Sequence, residues 1–363
     1  MTPSRPRLTP AVADVRRAVR EALAPFRNDG DSAARPPLDS DPRGRMPASP
    51  SFRNASVLVA LSGGPDSLAL AAAVAFEAPR AGIRAGAVIV DHGLQSGSAD
   101  AAATAARHAA DLGLNPVSVR TVTVGTVGGP EAAARTARYA ALADSASTAG
   151  AAAVLLGHTL DDQAETVLLG LARGSGPSSL AGMAPVNGLW VRPLLGIRRA
   201  TTVQFCADSG LEPWIDPQND DAAFARVRVR TVVLPVMTRE LGPGIPEALA
   251  RTADQLREDA AALDHFAAEI AEDLAEHSEA GISLPVKSLA VQPAALRQRL
   301  IRLAVSSEFH VSLSRAHTLE VARLVTDWHG QGALDLPGVR VERQGGLLLF
   351  SAPHTPEGHD GIQ

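Results

Sequence analysis

Cysteine is almost absent from the sequence, since Cys206 is the only one among 363 residues. A lone thiol excludes an internal disulfide framework and a multi-cysteine metal or iron–sulfur site, and it fits a reducing cytoplasm. Aromatic residues are also rare, at 3%, whereas hydrophobic residues reach 45%. The sequence therefore predicts a sizeable core that is packed mainly from Ala, Val and Leu.

Lysine is nearly missing as well, because Lys287 is the only one, and arginine carries almost all the positive charge. The arginines are scattered over every segment, which fits a bias toward Arg and Ala as well as it fits a phosphate-binding surface. The formal net charge of -5 does not indicate a general nucleic-acid binder. Any RNA site must therefore be a local positive surface.

Long apolar runs are missing too. No run of about 18 apolar residues occurs that would span a bilayer, and no apolar stretch of a signal peptide follows the early arginines. We therefore expect a cytoplasmic protein that does not use a membrane.

The length is enough for two or three domains. Residues 1–54 are predicted to be an extension, with an amphipathic helix from about Thr9 to Phe26 and a disordered linker after it that is rich in Pro, Asp, Arg and Ser. We expect this extension to be dispensable for activity. Residues 352–363 are expected to form a disordered tail.

Residues 55–217 alternate short β-rich runs with Ala-rich helical stretches. The predicted strands are 56–61, 85–91, 116–124 and 152–157, and the predicted helices are 67–76, 98–112, 130–149 and 161–172. This alternation is typical of the α/β class with a doubly wound parallel sheet. Such a sheet binds ligands beyond the carboxyl ends of its strands, which are followed here by 62–67, 91–95, 125–138 and 158–165.

Residues 218–351 are predicted to form a mainly helical C-terminal region that ends in a short hairpin. Apolar residues between Leu249 and Leu274 alternate steps of four and three, which predicts a long amphipathic helix over about 246–277. Their stripe favours a domain core over a coiled-coil dimer, so that a homodimer remains the alternative. Further helices are predicted at 292–306 and 314–328, with strands at Leu334–Leu336, Val339–Arg343 and Leu347–Phe350.

The first chemical motif is SGGPDS, residues 62–67, which follows an apolar strand and opens a helix. Gly63 and Gly64 let the backbone approach a ligand closely. Ser62, Ser67, the N–H groups of the turn and the helix N-terminus can hold an anion. The Gly-Lys-Ser/Thr ending of a Walker A loop is missing, and a plain glycine turn with a helix cap is the alternative.

Two further motifs follow the next strands. Asp91 and His92 of the run DHGL end the second strand, where a lone histidine is as often a structural hydrogen-bonding group as a functional one. Arg135 and Arg138 share one face of the helix over 130–149 with Glu131, so an exposed ion pair is the alternative to a binding role.

The longest motif is GHTLDDQAETVLLGLARGSG, residues 157–176. His158 leaves the fourth strand, and Asp161, Asp162 and Glu165 open the following helix. Acidic residues in a first helical turn are favoured by the helix dipole, so capping is the alternative reading. A group of carboxylates suits an ammonium group or Mg²⁺ better than a phosphate.

These motifs in this order resemble the N-type ATP-pyrophosphatases, whose pyrophosphate loop is similar to SGGPDS. Those enzymes cleave ATP between its α and β phosphates, adenylate an oxygen of the substrate and let a nucleophile displace AMP. The DHGL and 157–176 runs are most similar to the lysidine synthases. WVRPLL (190–195) and the run 214–235 extend the resemblance, which covers roughly 55–240.

The resemblance implies a ligase that forms a carbon–nitrogen bond. It would join L-lysine to C2 of the wobble cytidine of an isoleucine tRNA with a CAU anticodon, through an adenylated tRNA, and would release AMP and pyrophosphate. ATP and Mg²⁺ are the implied cofactors. The region 218–351 is implied to bind tRNA.

The resemblance also implies roles for individual residues. The implied ATP-binding residues are Ser62, Gly63, Gly64, Pro65, Asp66, Ser67, Asp91, His92 and His158. The implied catalytic residues are Asp66, Arg135, His158, Asp162 and Glu165, and two of them, Asp162 and Glu165, are implied to hold lysine. The implied tRNA-binding residues are Arg138, Asn219, Arg226, Arg228 and Arg230. Asp66 and Asp161 are the implied Mg²⁺ ligands.

Two alternatives stay open at this point. Another tRNA-modifying ATP-pyrophosphatase, such as a thiolase, would share the loop, but many of these enzymes need a cysteine pair and only Cys206 is present, in a predicted helix over 198–208. A nucleotide-binding module without catalysis is the second alternative. The intact carboxylates Asp66, Asp161, Asp162 and Glu165 argue against it.

Overall fold

The computed structural model describes residues 8–27, 55–93, 97–125, 129–174, 176–216, 221–278 and 281–353. The chain forms two compact units, one ending at Arg257 and the other beginning at Glu258. The predicted linker after Arg27 and the predicted tail after Pro353 lie outside the described residues. The domain bounds expected from the sequence stay a prediction.

The first unit is built on a sheet of order β3-β2-β1-β4-β6-β5, in which only the β5–β6 pair is antiparallel. Its strands are β1 (Ser56–Ala60), β2 (Arg84–Asp91), β3 (Val117–Thr121), β4 (Ala153–Leu156), β5 (Val186–Asn187) and β6 (Trp190–Val191). The central strands β1 and β4 are apolar and buried throughout, as strands covered on both faces must be. The predicted doubly wound parallel sheet is confirmed.

Helices cover both faces of this sheet, with α2 on one face and α4 on the other. The helices from the start of the chain to Leu274 are α1 (Pro10–Leu23), α2 (Pro65–Glu77), α3 (Ser98–Asp111), α4 (Pro130–Ala149), α5 (Leu160–Ala172), α6 (Pro177–Leu180), α7 (Arg199–Ser209), α8 (Ala225–Arg228), α9 (Leu234–Leu241) and α10 (Ile245–Leu274), the last of which continues past Arg257. Alternate residues of β1 serve the two faces, because Val57 and Val59 pack with α2 whereas Leu58 packs with Leu142 and Ala146 of α4. Because successive side chains of a strand point to opposite faces of the sheet, β1 contributes to two separate cores.

Helix α1 is part of the first of these cores. Thr9 caps it, and Val12, Val15, Val19 and Leu23 are buried in the cluster that also holds residues of α2 and α7. The amphipathic helix was expected, but as part of a dispensable extension. Removing α1 would expose the apolar faces of two other helices, and the dispensability of the extension for activity stays a prediction.

The parallel strand order reverses between β1 and β4, and this arrangement opens a crevice at their carboxyl ends. The loop 62–67 follows β1, and Gly157 follows β4. A Cβ at Gly157 would lie 3.0 Å from both the backbone N and the Cα of Ser67. Only glycine therefore lets the end of β4 pass this close to the start of α2.

The second unit contains an antiparallel sheet of order β7-β8-β11-β10-β9. Its strands are β7 (Glu276–Ser278), β8 (Gly281–Pro285), β9 (Leu334–Leu336), β10 (Val339–Gln344) and β11 (Leu347–Ser351), and its helices are α11 (Val286–Val291), α12 (Ala294–Phe309) and α13 (Arg315–Thr326). The predicted hairpin is present, but as part of this larger sheet. Ala267, Ile270 and Leu274 pack into the core of the unit, which favours the domain core over the coiled coil.

Membrane insertion finds no support among the described helices. None of them has the length and the apolar composition that a bilayer crossing requires.

Candidate active site

The loop 62–67 is a closed turn at the N-terminus of α2. Gly63 has a φ of +87°, which favours glycine, and Gly64 is the N-cap. The hydroxyl of Ser67 accepts a hydrogen bond from the backbone N–H of Ser62 at 3.2 Å and donates one to the carbonyl of Gly64 at 3.1 Å. The turn is therefore held in shape from within, next to a helix N-terminus that favours anions.

A cleft of about 1110 Å³ lies above this loop. Its charged lining consists of six arginines and two aspartates, namely Arg135, Arg138, Arg173, Arg199, Arg226, Arg230, Asp66 and Asp162. The cleft is therefore positive, although the whole chain carries a formal net charge of -5. A concave positive surface of this kind attracts phosphates.

Arg199, the first residue of α7, joins three carboxylates at the floor of the cleft. Its guanidinium lies 3.2 Å from Asp66, 2.7 Å from Asp162 and 3.3 Å from Glu165, measured between nitrogen and oxygen atoms. These carboxylates raise the pKa of Arg199, against the lowering effect of burial. One arginine thus holds together the acidic groups of the phosphate loop and of α5.

Glu165 is completely buried and is surrounded by arginines. Besides Arg199, it accepts hydrogen bonds from Arg230 at 2.7 and 3.1 Å, and Arg226 lies 3.8 Å away. A buried carboxylate is costly unless it is paired in this way. The sequence interpretation did not foresee that the carboxylates proposed for lysine already have guanidinium partners.

Asp162 uses its two oxygens differently. Oδ2 accepts hydrogen bonds from the N–H and the hydroxyl of Thr159, both at 2.8 Å, and completes a capping box on α5. Oδ1 faces Arg199 and lies 3.5 Å from Arg230. Burial would raise the pKa of Asp162, but Arg199 and Thr159 outweigh it and lower the pKa. Asp162 can therefore cap α5 with one oxygen and still present the other oxygen to a ligand in the cleft.

Asp66 is the carboxylate that lies both on the phosphate loop and in the cleft. Burial raises its pKa, although Arg199 and a short hydrogen bond from Thr202 oppose the rise. Asp161 does not line this cleft, since its oxygens accept from the backbone N–H of Arg199 at 2.7 Å and from the side chain of Arg198.

A self-contained metal cage is not formed within the described ranges, because no group of three or more His, Cys, Asp or Glu side chains is arranged to hold an ion. Mg²⁺ usually takes one or two carboxylates and completes its shell with phosphate oxygens and water. Asp66 fits that pattern. The contacts of Asp161 favour a structural role.

His158 and His92 each have a buried Nδ1 without a hydrogen-bond partner among the described residues. Burial lowers the pKa of His158 to about 3, and Asp162 offsets only part of this effect. Burial and Arg138 lower the pKa of His92. Both imidazoles are therefore neutral at pH 7 and suited to hydrogen bonding rather than to ion pairing.

A smaller pocket of about 260 Å³ adjoins the cleft between the carboxyl ends of β1 and β2 and the start of α3. Leu61, Val88 and Ala102 are among its apolar wall residues, and Asp91, His92 and Asp216 are among its polar ones. Ala60, Ser62, Arg138 and Trp214 line both spaces. The size and the apolar walls of the pocket suit a nucleobase.

The arginines expected to bind tRNA are placed in different surroundings. Arg138, Arg226 and Arg230 line the cleft, whereas Arg228 donates to the carbonyls of Ala222 and Ala223 and does not. A π-helical turn, Val229–Val233, follows α8 and carries Arg230 toward Glu165. Asn219 lies outside the described residues.

Sequence reasoning missed Arg199, Arg173 and Trp214 in the lining. A signal for Arg199 was present, because Arg198 and Arg199 stand at the start of a predicted helix, where the dipole disfavours positive charge. Two arginines at that position indicate carboxylates nearby. Arg173 and Trp214 carried no comparable signal.

Cys206 lies beneath the phosphate loop, where its Sγ is 3.5 Å from the carbonyl oxygen of Pro65. The residue is buried, and burial raises the pKa of its thiol to about 12. Such a thiol is poorly suited to carry sulfur to a substrate, because the thiolate is the reactive form.

Comparison with protein-family models gives two matches. The PP-loop domain matches residues 44–237, and the TilS substrate binding domain matches residues 284–348. The first match covers the loop 62–67 and the whole cleft. The second lies within the compact unit that begins at Glu258.

Curated relatives match over most of the chain. The tRNA(Ile)-lysidine synthase of Leifsonia xyli subsp. xyli is 66% identical over 302 residues, which are 83% of this chain and 91% of that protein. The tRNA(Ile)-lysidine synthase of Thermobifida fusca is 54% identical over 299 residues, which are 82% and 91% of the two chains.

Among solved structures, the U34-tRNA thiolase NcsA from Methanococcus maripaludis, with its [4Fe-4S] cluster, superposes with a TM-score of 0.52 at 18% identity. The match covers 68% of this chain and 80% of that one. At this identity the likeness concerns the fold.

Proposed function

Because the chain belongs to the tRNA(Ile)-lysidine synthase family, we propose that its cleft performs both halves of the ligation, the adenylation of a tRNA cytidine and the transfer of lysine to it. The enzyme is a ligase that forms a carbon–nitrogen bond at C2 of the wobble cytidine of isoleucine tRNA with a CAU anticodon. AMP and pyrophosphate are its other products.

One observation supports the assignment of adenylation and lysine transfer to the same site. The phosphate loop 62–67 and Asp162 of α5 line the same cleft, and Arg199 links Asp66 of the loop to Asp162 and to buried Glu165. An activated substrate therefore does not need to leave the cleft between the two steps. Holding both reactants in one place supplies the proximity that such a transfer needs.

ATP is assigned to the smaller pocket and the loop together. The adenine fits the apolar walls beside Val88 and Ala102, with Asp91 and His92 among the polar wall residues. The triphosphate lies on Ser62–Ser67, and neutral His158 donates a hydrogen bond to it. Asp66 would hold Mg²⁺, whose role is to neutralise charge on the departing pyrophosphate.

In the first half, the O2 atom of the cytidine attacks the α-phosphorus of ATP. The bond from that phosphorus to the bridging oxygen breaks, and pyrophosphate leaves. Arg135 and Arg138 line the cleft on the side of α4 and would stabilise the developing negative charge. The product of this half is a tRNA that carries AMP on O2.

In the second half, lysine is assigned to Asp162 and Glu165. Because carboxylates and guanidinium groups already alternate there, bound lysine can exchange ion-pair partners with Arg199 and Arg230, while Arg199 keeps its pair with Asp66. The ammonium groups would take the carboxylates, and a released guanidinium would take the lysine carboxylate.

The ε-amine of lysine then attacks C2, the C2–O2 bond breaks, and AMP leaves with that oxygen. The ε-ammonium must first lose a proton. We assign this proton to Glu165, which would face the ammonium group once the ion-pair partners have been exchanged.

Contacts to tRNA phosphates are assigned to Arg138, Arg173 and Arg226, which line the cleft. The roles of Asn219 and Arg228 in tRNA binding stay predictions from the sequence, as does a homodimer. Light scattering of the purified protein with and without tRNA would decide the oligomeric state.

The test of this function follows lysine and pyrophosphate together. Purified protein is incubated with ATP, Mg²⁺, isoleucine tRNA and radiolabelled lysine, with a tRNA that carries a wobble U34 as the matched control. We expect label to enter only the first RNA, through a bond stable to the mild alkali that strips aminoacyl esters, together with equal amounts of AMP and pyrophosphate. Pyrophosphate release without entry of lysine would contradict the assignment of lysine as the nucleophile.

A further inference from the structure

Trp214 stands at the boundary between the two spaces of the active site. It lines both the cleft of about 1110 Å³ and the smaller pocket of about 260 Å³. Of the four residues that line both, it is the one with an aromatic ring. A ligand that extends from one space to the other therefore has this ring among the few residues that it can meet on the way.

The backbone holds Trp214 against the phosphate loop. Its N–H donates a hydrogen bond to the carbonyl of Gly63 at 2.9 Å. A Cβ at Gly63 would lie 3.7 Å from the Cβ of Trp214, so the two segments are in near contact. The backbone and the Cβ of Trp214 therefore keep a fixed place relative to the loop that takes the triphosphate.

The other two tryptophans already have partners. Trp190 packs edge to face on Tyr139 with 4.7 Å between ring centroids, and Arg343 lies 5.0 Å from the ring centroid of Trp328. Within the described ranges, no ring or cation stacks on Trp214. It is partly exposed in the cleft, next to Ile215, which is 75% exposed at the rim.

The position in which ATP binds determines which base can stack on the Trp214 ring. With adenine in the smaller pocket and the β and γ phosphates on the loop, the α-phosphate lies near the shared boundary, beside Ser62. The attacking cytosine must approach that phosphate from the larger cleft. An indole at the boundary is suited to stack on this base, since base–aromatic stacking is a common way of holding an unpaired nucleotide.

We infer that Trp214 is a positioning residue, whose indole stacks on the wobble cytosine and holds its O2 atom at the α-phosphate. The inference rests on the proposed function for the course of ATP and for the identity of the base. It goes further in naming the side chain that orients the nucleotide. The competing occupant of the same ring face is the adenine of ATP.

The experiment compares Trp214→Phe and Trp214→Ala with wild type in two assays. One is the binding of a non-hydrolysable ATP analogue, and the other is tRNA-dependent pyrophosphate release without lysine. For Trp214→Ala we expect a loss of about tenfold or more in kcat/KM for tRNA, the effect of one lost stack, with analogue affinity within about threefold of wild type. Trp214→Phe, which keeps a ring, should retain most of the activity.

Fluorescence supplies a readout that does not depend on activity. An anticodon stem-loop RNA with C34 should quench tryptophan emission in the wild type and in the control Trp328→Phe, but not in Trp214→Phe. If Trp214→Ala weakens binding of the ATP analogue about tenfold and leaves tRNA-dependent pyrophosphate release intact, the ring stacks on adenine and the inference is overturned. Unchanged quenching in Trp214→Phe would overturn it as well.

These outcomes are distinct from a failure of the proposed function. If lysine never enters RNA with the wild-type enzyme, the function fails, whereas quenching and pyrophosphate release still report on Trp214. If Trp214→Ala does not fold, the fluorescence quenching of wild type and of Trp214→Phe by the stem-loop RNA tests the stacking of Trp214.

Discussion

At the scale of single residues, Asp162 serves two neighbours at once. One oxygen closes the capping box with Thr159, and the other faces Arg199 in the cleft. An amide at this position would keep an oxygen for the cap but lose the charge that faces the cleft. The two roles can therefore be separated by one substitution.

We expect Asp162→Asn to bind ATP nearly as well as wild type and to lose about a hundredfold in lysine transfer, because a hydrogen bond to a charged group contributes about 1.5–3 kcal/mol. The measurement is radiolabelled lysine entering tRNA, beside binding of an ATP analogue and a thermal melt. Asp144→Asn, on the exposed side of α4, is the matched control. Lysine transfer at the wild-type rate would remove Asp162 from the lysine site.

The loop 62–67 and the acidic residues of α5 were recognisable because each group is contiguous in sequence. Arg199 was not, since it meets Asp66 across 133 residues. The sequence specifies which side chains one loop or one helical turn presents. The pairing of those carboxylates with α7 depends on the packing of α7 against α2, which no local pattern encodes.

At the scale of elements, ion pairs to a nearly buried carboxylate of α2 hold α1 against that helix. Glu77 is 4% exposed, and it accepts hydrogen bonds from Arg16 at 2.8 Å and from Arg20 at 3.0 Å. Burial would raise the pKa of Glu77, but the two arginines outweigh burial and lower it below its usual 4.5. The stabilisation is therefore present above pH 4.5 and is lost as the pH falls through the pKa of the folded state.

Glu77→Gln should lower the free energy of unfolding at pH 7 by about 1–2 kcal/mol, discounted because Arg20 is largely exposed. The difference from wild type should shrink as the pH is lowered below 4.5. Denaturant unfolding at several pH values measures both effects, with Glu21→Gln on the exposed face of α1 as the control. A difference that stays constant with pH would contradict the role of the charge.

Most elements were predictable because hydrophobic periodicity marks them. The four long strands and the helix over 246–277 were placed within a few residues of β1–β4 and α10. Strands β5 and β6 were missed, since two residues each are too few to show a period. Strands β7 and β8 were missed because the pair is short and is completed by a distant strand, β11, which pairs Leu348 with Leu284 of β8.

At the scale of the whole molecule, the charge is distributed unevenly. The chain is acidic overall, whereas the cleft presents six arginines against two aspartates. Within the described part of the chain, Arg173 lines the cleft without a carboxylate partner, in contrast to Arg199, Arg226 and Arg230. Arg173 can therefore meet an RNA phosphate without first breaking an ion pair.

We expect Arg173→Ala to weaken tRNA binding and to reduce the slope of log K against log salt by about 1, the signature of one lost phosphate contact. ATP affinity should not change. Binding of tRNA measured between low and moderate salt provides the test, and Arg107→Ala, on the exposed side of α3, is the control. An unchanged slope would mean that Arg173 does not touch a phosphate.

The docking of α1 also has a consequence for how the chain is made. Thr9 meets Asp208 of α7 across 199 residues. A ribosome that adds about 5–20 residues per second delivers α7 about 10–40 s after α1 has been synthesised. During that interval, a helix of 14 residues is marginal in water by itself, and Val12, Val15 and Val19 lack the part of their core that α7 supplies. Helix α1 can therefore pack against α2 soon after its synthesis, but the face that α7 covers stays open until α7 has been made.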